Sequence, residues 1–429
     1  MGLPNPVSLV QICCLKMAFL KRQGVSLIEG FTESPPLNRY NFIMHEQRDM
    51  KNEPRPSVWI TDAVTVTALG NTLWESWQGI VAGQTAIRPV RRFSVDSCNA
   101  RVAACIEGLE PSGEHSMIHA LTERLLTSIG PVPSDALLIT ATTKSGIDNL
   151  ERLHQGVSAD DQDILLTSIA DTVSQKLGLT GKGINISAAC ASSAIAVARG
   201  AGQIASGMAE AVLICCLDIV TEFVFSGFSC LRAMSPEPCR PFDRDRDGLS
   251  LGEGAAALLL MSKERACREG RECLGTVMGW GAANDATHLT APARDGCGLI
   301  QAISQAVKKA GLKAEDIATI SAHGTGTIYN DMMELTAFRE VFGNRKIPVY
   351  SIKGAIGHTL GAAGGIEVAV GLKTLSEQIA PPSVGLAHPE GWASGRVSPE
   401  PADISGEFLL TTNSGFGGIN AAIILGRAI

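Results

Sequence analysis

Short apolar runs alternate along the chain with longer segments that mix apolar and polar positions, and this pattern begins near residue 56. The runs at 57–70, 136–146 and 252–263 each adjoin a polar or glycine-containing turn, which indicates strands bounded by loops. The mixed segments between such runs favour helices. Strands that alternate with helices in this way predict an α/β fold.

Four of these landmarks occur twice, in the same order, once in each half of the chain. The pairs are 57–70 with 275–289, 136–146 with 317–327, 184–204 with 349–369, and 252–263 with 417–428. Four repeats in register indicate two similar βαβ-rich halves that pack as one body. We place the N-terminal half at 56–268 and the C-terminal half at 269–429.

The third pair of landmarks leads in each half into a helix rich in alanine, serine and glycine. Small residues let helices approach each other closely, so we expect both helices to be buried between sheets. Cys190 and His358 lie in the turns that precede these two helices. A packing role explains the small residues but explains neither of these two side chains.

The first 55 residues do not follow the strand and helix pattern. Their apolar start lacks the early positive charge and the small-residue cleavage site of a secretory signal, and Lys16 interrupts it. No apolar run in the chain reaches the about 18 residues of a transmembrane helix. We expect residues 1–55 to be an irregular extension, with Met44 or Met50 as alternative starts.

The composition narrows the classes of protein. Apolar residues make up 45% and charged residues 18%, as in a soluble enzyme, and the net charge of −7 with no basic block argues against nucleic acid as a ligand. None of the 12 cysteines forms a CxxC pair or lies at zinc-ligand spacing from a histidine. The sequence thus predicts reduced cysteines, a cytoplasmic location and no metal site.

Cys190 lies between small residues at the predicted start of a helix, in "NISAACASSAIAVARG" at 185–200. The amides and dipole of a helix N-terminus favour a thiolate, and a tight turn would expose the sulfur. Alone, the cysteine is more simply interpreted as a small packed residue.

Three further motifs change that interpretation, because each follows a predicted strand. "SAHGTGT" at 321–327 contains His323, "SIKGAIGHTLGAAGG" at 351–365 contains Lys353 and His358, and "TNSGFGGIN" at 412–420 surrounds Phe416. Ligands of open α/β sheets bind at the carboxyl ends of strands, where all these residues are expected to lie.

This set of motifs resembles the β-ketoacyl-acyl-carrier-protein synthases of the elongating type, which have a Cys-His-His triad. Two supporting stretches are "GFSCLRAMS" at 227–235 and "CRPFDRDRDGLSLGEGAAALLL" at 239–260. The resemblance implies a thiolase-like fold, with two duplicated βαβαβ-type halves in a five-layer α-β-α-β-α arrangement. It also implies a dimer, formed with a second copy or with a related synthase.

The resemblance implies a decarboxylating Claisen condensation in fatty acid or polyketide synthesis. Cys190 would hold the acyl group as a thioester, and His323 and His358 would assist decarboxylation of malonyl-acyl-carrier protein. Lys353 would pair with Glu334 or Asp331 and orient the histidines, or would act in catalysis directly.

For the substrate, the resemblance implies a phosphopantetheine arm brought in by acyl carrier protein, and no bound cofactor. Thr325 and Thr327 would contact this arm, and Phe416, flanked by Gly415 and Gly417, would gate the acyl cavity. A basic patch would receive the acidic carrier. Its candidates are Arg91, Arg92, Lys308 and Lys309.

Two features of the sequence depart from the family pattern. Ser414 stands where the family usually has phenylalanine, and the segments at 108–135 and 145–180 are shorter than is typical.

The segment at 243–254 resembles a calcium-binding loop, but its twelfth position is Gly254 rather than glutamate. We therefore interpret it as a salt-bridged loop.

Two other functions remain open at this point. A thiolase would need a second cysteine in the C-terminal glycine loop, and the last cysteine of the chain is Cys297. A non-catalytic, chain-length-determining subunit of a heterodimeric synthase usually replaces the nucleophile, which this chain retains as Cys190.

The chain has six other histidines, at 45, 115, 119, 154, 288 and 388. We interpret them as surface or core residues.

Overall fold

A ten-stranded mixed sheet runs through the protein in the computed structural model, which describes residues 57–428. The sheet has the order β11-β10-β14-β15-β9-β1-β8-β6-β4-β5. Its strands are β1 (Val58–Thr67), β4 (Leu137–Ala141), β5 (Ile184–Asn185), β6 (Ala211–Asp218), β8 (Gly254–Ser262), β9 (Gly275–Asn284), β10 (Ile317–Ser321), β11 (Val349–Tyr350), β14 (Phe408–Gly415) and β15 (Ile419–Arg427). Five short strands form two small sheets: β2 (Arg88–Pro89), β3 (Val102–Ala104), β7 (Leu251–Gly252), β12 (Ile379–Ala380) and β13 (Ala402–Asp403).

The large sheet consists of two halves with the same strand order. Counted within each half, the five strands lie in the order third, second, fourth, fifth, first, and the two first strands, β1 and β9, meet in the middle. Only Trp59 with Thr276 and Ile60 with Gly275 pair across this seam. The predicted duplication and the α/β thiolase-like fold are therefore confirmed, and each repeated landmark lies on equivalent strands. The boundary at 268/269 stays a prediction within one compact unit, Arg55–Ile429.

The helices lie on both faces of the sheet and between its halves. They are α1 (Leu73–Val81), α2 (Met117–Leu126), α3 (Ile147–His154), α4 (Ser168–Leu177), α5 (Ser192–Ala205), α6 (Glu222–Cys230), α7 (Lys263–Arg268), α8 (Cys297–Ala310), α9 (Ile328–Phe342), α10 (Lys353–Ile356) and α11 (Ala363–Glu377). The two small-residue helices, α5 and α11, contact each other and the strands of both halves, as predicted. Among the described residues, no helix is long and apolar enough to cross a membrane.

Glycine permits the contact between the two central helices. A Cβ atom on Gly364, in the first turn of α11, would lie 2.8 Å from the backbone nitrogen of Ala194 and 2.9 Å from its Cβ. Real Cβ atoms do not approach other atoms this closely, so backbone contacts backbone here. The extension predicted at residues 1–55 lies outside the described part of the chain.

We expect Gly364→Ala to lower the free energy of unfolding by about 1–3 kcal/mol, because the added methyl group forces α11 away from α5. Gly202→Ala in α5 is the matched control, since its new Cβ would lie 3.8 Å from Trp280, an ordinary contact. Urea denaturation of both variants measures the difference. Equal stability of the two variants would contradict the close helix contact.

Candidate active site

Cys190 lies in a strained turn between β5 and α5. The residue before it, Ala189, has a φ of 48°, a left-handed conformation that costs a residue with a side chain about 1–3 kcal/mol. Ser192 stabilises this turn, because its hydroxyl donates to the Ala189 oxygen at 2.6 Å and accepts from the Ala188 nitrogen at 2.8 Å. The turn therefore holds the sulfur at the N-terminus of α5, as the sequence predicts.

His323 follows β10 and is held in place through its backbone by a buried carboxylate. Glu334, on α9, accepts hydrogen bonds from the backbone nitrogens of His323 at 2.8 Å and Gly324 at 2.6 Å. Burial and the neighbouring Asp331 raise the pKa of Glu334 to about 7, while the backbone N–H groups lower it. Glu334 thus fixes the loop that carries His323.

Asp331 does the same for the next part of this loop. It accepts hydrogen bonds from the backbone nitrogens of Thr325 at 3.0 Å and Phe242 at 2.8 Å, and Arg246 lies 3.6 Å away. Arg246 also forms an ion pair with Glu390. The segment at 243–254 is therefore the salt-bridged loop that the sequence suggests.

His358 lies in the turn between α10 and α11, and backbone bonds to a neighbouring strand fix it. Its nitrogen donates to the Ser250 oxygen at 2.7 Å, and its oxygen accepts from Gly252 at 3.0 Å. Gly357, at a φ of 69°, allows this contact, because a Cβ there would lie 2.5 Å from the Leu251 oxygen.

These turns bring the three predicted residues together. The Cys190 sulfur and one ring nitrogen each of His323 and His358 all lie within 4.8 Å of one another, a spacing that would also suit three metal ligands. The two rings are 5.1 Å apart at an angle of 85°. All three side chains line a cavity of about 420 Å³, which Thr325, Thr327, Gly415 and Phe416 also line. Gly417 does not line the cavity but follows Phe416 in the chain and has a φ of 87°.

Both histidines are neutral at physiological pH. Burial, followed by the positive charge of Lys353, lowers the pKa of each ring well below its usual value. The Leu360 nitrogen donates to Nδ1 of His358 at 3.2 Å. The Asn413 amide lies 3.4 Å from Nδ1 of His323 and donates to Glu367 at 2.7 Å, which sets its NH₂ group toward both. Each ring therefore accepts at Nδ1 and carries its proton on Nε2, where it can donate to a substrate oxygen.

Burial also decides the state of the sulfur. It raises the pKa of Cys190 to about 11, although Lys144 and Lys353 lower it. A helix N-terminus contributes at most about 2 kcal/mol, which corresponds to roughly 1.5 pH units and does not offset this rise. The resting group is thus a thiol rather than the thiolate that the helix position alone suggests.

Lys353 has a different partner from those that the sequence suggests. Its ammonium group donates to Glu367 on α11 at 2.5 Å, whereas Glu334 and Asp331 bind backbone N–H groups of the 323–327 loop. The predicted pairing with Glu334 or Asp331 is not observed, because both carboxylates accept from backbone N–H groups of this loop and from other side chains, while Glu367 faces the ammonium group. Both Lys353 and Glu367 are buried, and neither lines the cavity.

Phe416, which the sequence predicts to be a gate, contacts another aromatic ring, and the nearby Ser414 is polar. The ring of Phe416 stacks on Phe228 of α6 with centroids 5.8 Å apart. Ser414 donates to Asn420 at 2.7 Å, and Asn420 donates to Asp285 at 2.8 Å. A hydrogen-bonded chain of polar side chains therefore replaces the usual second phenylalanine in the wall of the cavity.

Several residues of the site were missed in the sequence. Glu367 is the only acidic residue within the apolar start of α11, in "GGIEVAV", and this isolation was a usable signal. Phe228 lies in the stretch at 227–235, but the sequence alone does not indicate what its ring contacts. Ser192 and Asn413 gave no signal, because their roles depend on the geometry of the turns that they stabilise.

Comparison with known proteins identifies the family. Residues 140–266 match the family model "Beta-ketoacyl synthase, N-terminal domain" and residues 274–387 match "Beta-ketoacyl synthase, C-terminal domain". The 3-oxoacyl-[acyl-carrier-protein] synthase 2 of Vibrio cholerae is 30% identical over 408 residues, which cover 86% of this chain and 99% of that protein. The chain belongs to the β-ketoacyl synthase family. The corresponding synthase of Synechocystis is also 30% identical and covers 87% of this β-ketoacyl synthase.

Solved structures agree with this assignment. The ishigamide ketosynthase/chain length factor has a TM-score of 0.80 at 27% identity and covers 87% of this chain and 100% of its own. A β-ketoacyl synthase from Burkholderia phymatum has a TM-score of 0.79 at 27% identity with the same coverage of both chains. This β-ketoacyl synthase is therefore an acyltransferase of the thiolase-like fold.

The rate of alkylation of Cys190 by iodoacetamide should rise about tenfold per pH unit from pH 7 to 9, because only the thiolate reacts and its pKa lies near 11. Mass spectrometry of the peptide that contains Cys190 measures this rate. The exposed Cys230 is an internal control. A rate that is already constant at pH 7.5 would show that the helix N-terminus outweighs burial.

Lys353→Met should lower the free energy of unfolding by about 3–5 kcal/mol, because it leaves Glu367 as an unpaired buried charge. Lys353→Met combined with Glu367→Leu should recover most of that loss, since no buried charge remains. Urea denaturation of the two variants tests this pair. If the double variant is less stable than the single one, the ion pair is not the reason for the loss.

Proposed function

We propose that this chain catalyses the decarboxylating condensation of an acyl group, held on Cys190, with malonyl-acyl-carrier protein. The product is a β-ketoacyl-acyl-carrier protein. The observation that carries this proposal is the cluster of one thiol and two neutral imidazoles within 4.8 Å at the wall of a cavity. A sulfur nucleophile and two neutral hydrogen-bond donors are what the two half-reactions require.

In the first half-reaction, the Cys190 sulfur attacks the carbonyl carbon of an acyl thioester. The new carbon–sulfur bond forms as the bond to the phosphopantetheine sulfur breaks, and the thiol proton passes to the leaving thiolate. We assign the oxyanion donors to the backbone nitrogens of Cys190 and Phe416. This assignment is supported by the close packing of their loops, since a Cβ on Gly415 would lie 3.1 Å from the Cys190 nitrogen.

In the second half-reaction, the malonyl carboxylate leaves as carbon dioxide and its bonding electrons form an enolate. Negative charge develops on the thioester oxygen, and we place the Nε2–H groups of His323 and His358 at that oxygen. Each imidazole accepts at Nδ1 and carries its hydrogen on Nε2, so this hydrogen is available to the developing charge. The enolate carbon then attacks the acyl-Cys190 thioester, the carbon–sulfur bond breaks, and the sulfur takes up a proton again.

The phosphopantetheine arm of the carrier protein is the only cofactor that this chemistry needs, and it arrives with the substrate. Thr325 and Thr327 would contact that arm. Both residues line the cavity, and their hydroxyl oxygens lie 2.9 Å apart. Phe416, between Gly415 and Gly417, gates the acyl part of the cavity. We place carrier docking near Arg91 and Lys308, which are exposed, and not at Arg92, which forms an ion pair with Glu253.

A second candidate is a chain-length-determining subunit in a heterodimer. It is supported by the likeness to the ishigamide ketosynthase/chain length factor and by a 25% identical ketosynthase from Xenorhabdus doucetiae that was solved in complex with its chain length factor. The intact set of Cys190, His323 and His358 favours the catalytic subunit of such a pair. A dimer with a second copy or a related synthase is thus part of the proposal.

Incubation of the purified protein with acyl- and malonyl-carrier protein should yield a β-ketoacyl product, carbon dioxide and an acyl adduct on Cys190. Cys190→Ala should abolish the product and the adduct but retain decarboxylation, because the enolate donors are unchanged. His323→Ala should lower decarboxylation about 10²- to 10³-fold, since one donor to the developing charge is lost. Intact-protein mass spectrometry and trapping of carbon dioxide provide the measurements.

The exposed His154 offers a matched control, and His154→Ala should leave both rates unchanged. No product and no adduct on Cys190, in a protein that remains folded, would overturn the catalytic proposal. If a related synthase added to the mixture then formed the product, the chain would be the chain-length-determining subunit.

A further inference from the structure

A second cluster of metal-ligating side chains lies apart from the cavity. His115 precedes α2, His119 lies in its first turn, and Asp163 lies on the 3₁₀ turn at Asp161–Ile164. One ligand atom of each residue lies within 4.8 Å of the others. None of the three lines the catalytic cavity, and the chemistry proposed above does not use them.

The carboxylate of Asp163 is held in a fixed orientation. Its Oδ2 accepts from the backbone nitrogen of Ser116 at 2.8 Å and from the Asn149 amide at 3.1 Å. Its side chain is only 5% exposed. Hydrogen bonds of this kind orient the carboxylate ligands of metal sites, and they direct Oδ1 of Asp163 toward His119.

His119 contacts Asp163 and Thr172 through its two ring nitrogens. Thr172 donates its hydroxyl hydrogen to the Ser168 oxygen at 2.9 Å, so at 3.5 Å it can only accept from Nδ1 of His119. Nε2 of His119 lies 2.6 Å from Asp163 Oδ1, which is a hydrogen-bond distance. A metal ion that replaces the hydrogen between these two atoms would bind both of them once their separation widened to about 3.3 Å.

His115 completes the set from the solvent side. Its Nδ1 lies 3.5 Å from Oδ2 of Asp163 and 3.9 Å from Asp160, and its side chain is 61% exposed. Ligands of a tetrahedral Zn²⁺ ion at about 2.0–2.2 Å lie roughly 3.3 Å from each other. The separations of His115 from Asp163 and Asp160 are slightly longer than this value, and the 2.6 Å between His119 and Asp163 is shorter, so side-chain rotations would have to adjust all three distances.

We propose that His115, His119 and Asp163 bind one divalent transition-metal ion of the Zn²⁺ type, with Asp160 or water as the fourth ligand. Imidazole and carboxylate ligands suit Zn²⁺ and its neighbours better than Mg²⁺ or Ca²⁺. The ion ties the start of α2 to the 3₁₀ turn, two segments that are 44 residues apart between His119 and Asp163. It therefore stabilises this outer part of the N-terminal half.

The test uses the full chain with Cys190→Ser, which removes the thiol of the catalytic cluster. Titration with Co²⁺ should give visible d–d absorption that saturates at one equivalent and disappears when Zn²⁺ is added. Zn²⁺ should raise the melting temperature by several degrees. His115→Ala should abolish both effects without unfolding the protein, because this side chain is largely exposed. His154→Ala, an exposed histidine of α3, should abolish neither.

Co²⁺ absorption and Zn²⁺ stabilisation that persist unchanged in His115→Ala would overturn the proposal and assign the ion to other residues. Absence of binding by the chain with His115 intact would overturn it as well. Asp163→Asn provides a second variant, since the amide has the shape of the carboxylate and keeps one acceptor oxygen but removes the charge. It should weaken Co²⁺ binding at least tenfold, which is about 1.4 kcal/mol.

Discussion

Backbone contact between the two central helices is the constraint on which the active site depends. Helix α5 begins just after Cys190 and α11 just after His358, so the distance between the helices sets the distance between the two side chains. Gly364 lets the helices touch at Ala194. The third residue, His323, reaches the same place because the equivalent strands of both halves end at this contact. A larger residue at Gly364 would therefore move Cys190 away from His358.

Burial of the site away from water is the second physical feature that determines its chemistry. The same burial that raises the pKa of Cys190 lowers the pKa of both histidines, so it hinders the thiolate and favours the neutral imidazole. The two half-reactions thus make opposing demands on one environment. Lys353 lowers the pKa of all three groups, and it can lie in this interior because Glu367 compensates its charge.

The sequence predicts the fold well because duplication leaves a repeated pattern. All four repeated landmarks lie on equivalent strands, and the small-residue helices are central. The sequence also identifies Cys190, His323 and His358, since each lies in a motif next to a strand. It fails for Lys353, because the choice among three buried carboxylates depends on which of them the backbone of the 323–327 loop already binds. Spacing along the chain does not encode such competition.

The sequence also does not reveal interactions that depend on residues far apart in the chain. Ser414 is unusual in the sequence, but its link through Asn420 to Asp285 connects β14, β15 and the residue after β9, and it has no local signature. The sequence places Cys190 at a helix N-terminus, which favours the thiolate, but it does not show how deeply the sulfur is buried. Burial raises the pKa of Cys190, and burial is a property of the assembled halves.

The duplication has a consequence for how such a catalyst can arise. A symmetric pair of identical half-chains would carry the same residue before both central helices, either two cysteines or two histidines. Such an ancestor could have a nucleophile or a hydrogen-bond donor at this place, but not one of each. Two halves encoded separately within one chain can differ at these two positions, which permits an asymmetric reaction on a nearly symmetric scaffold.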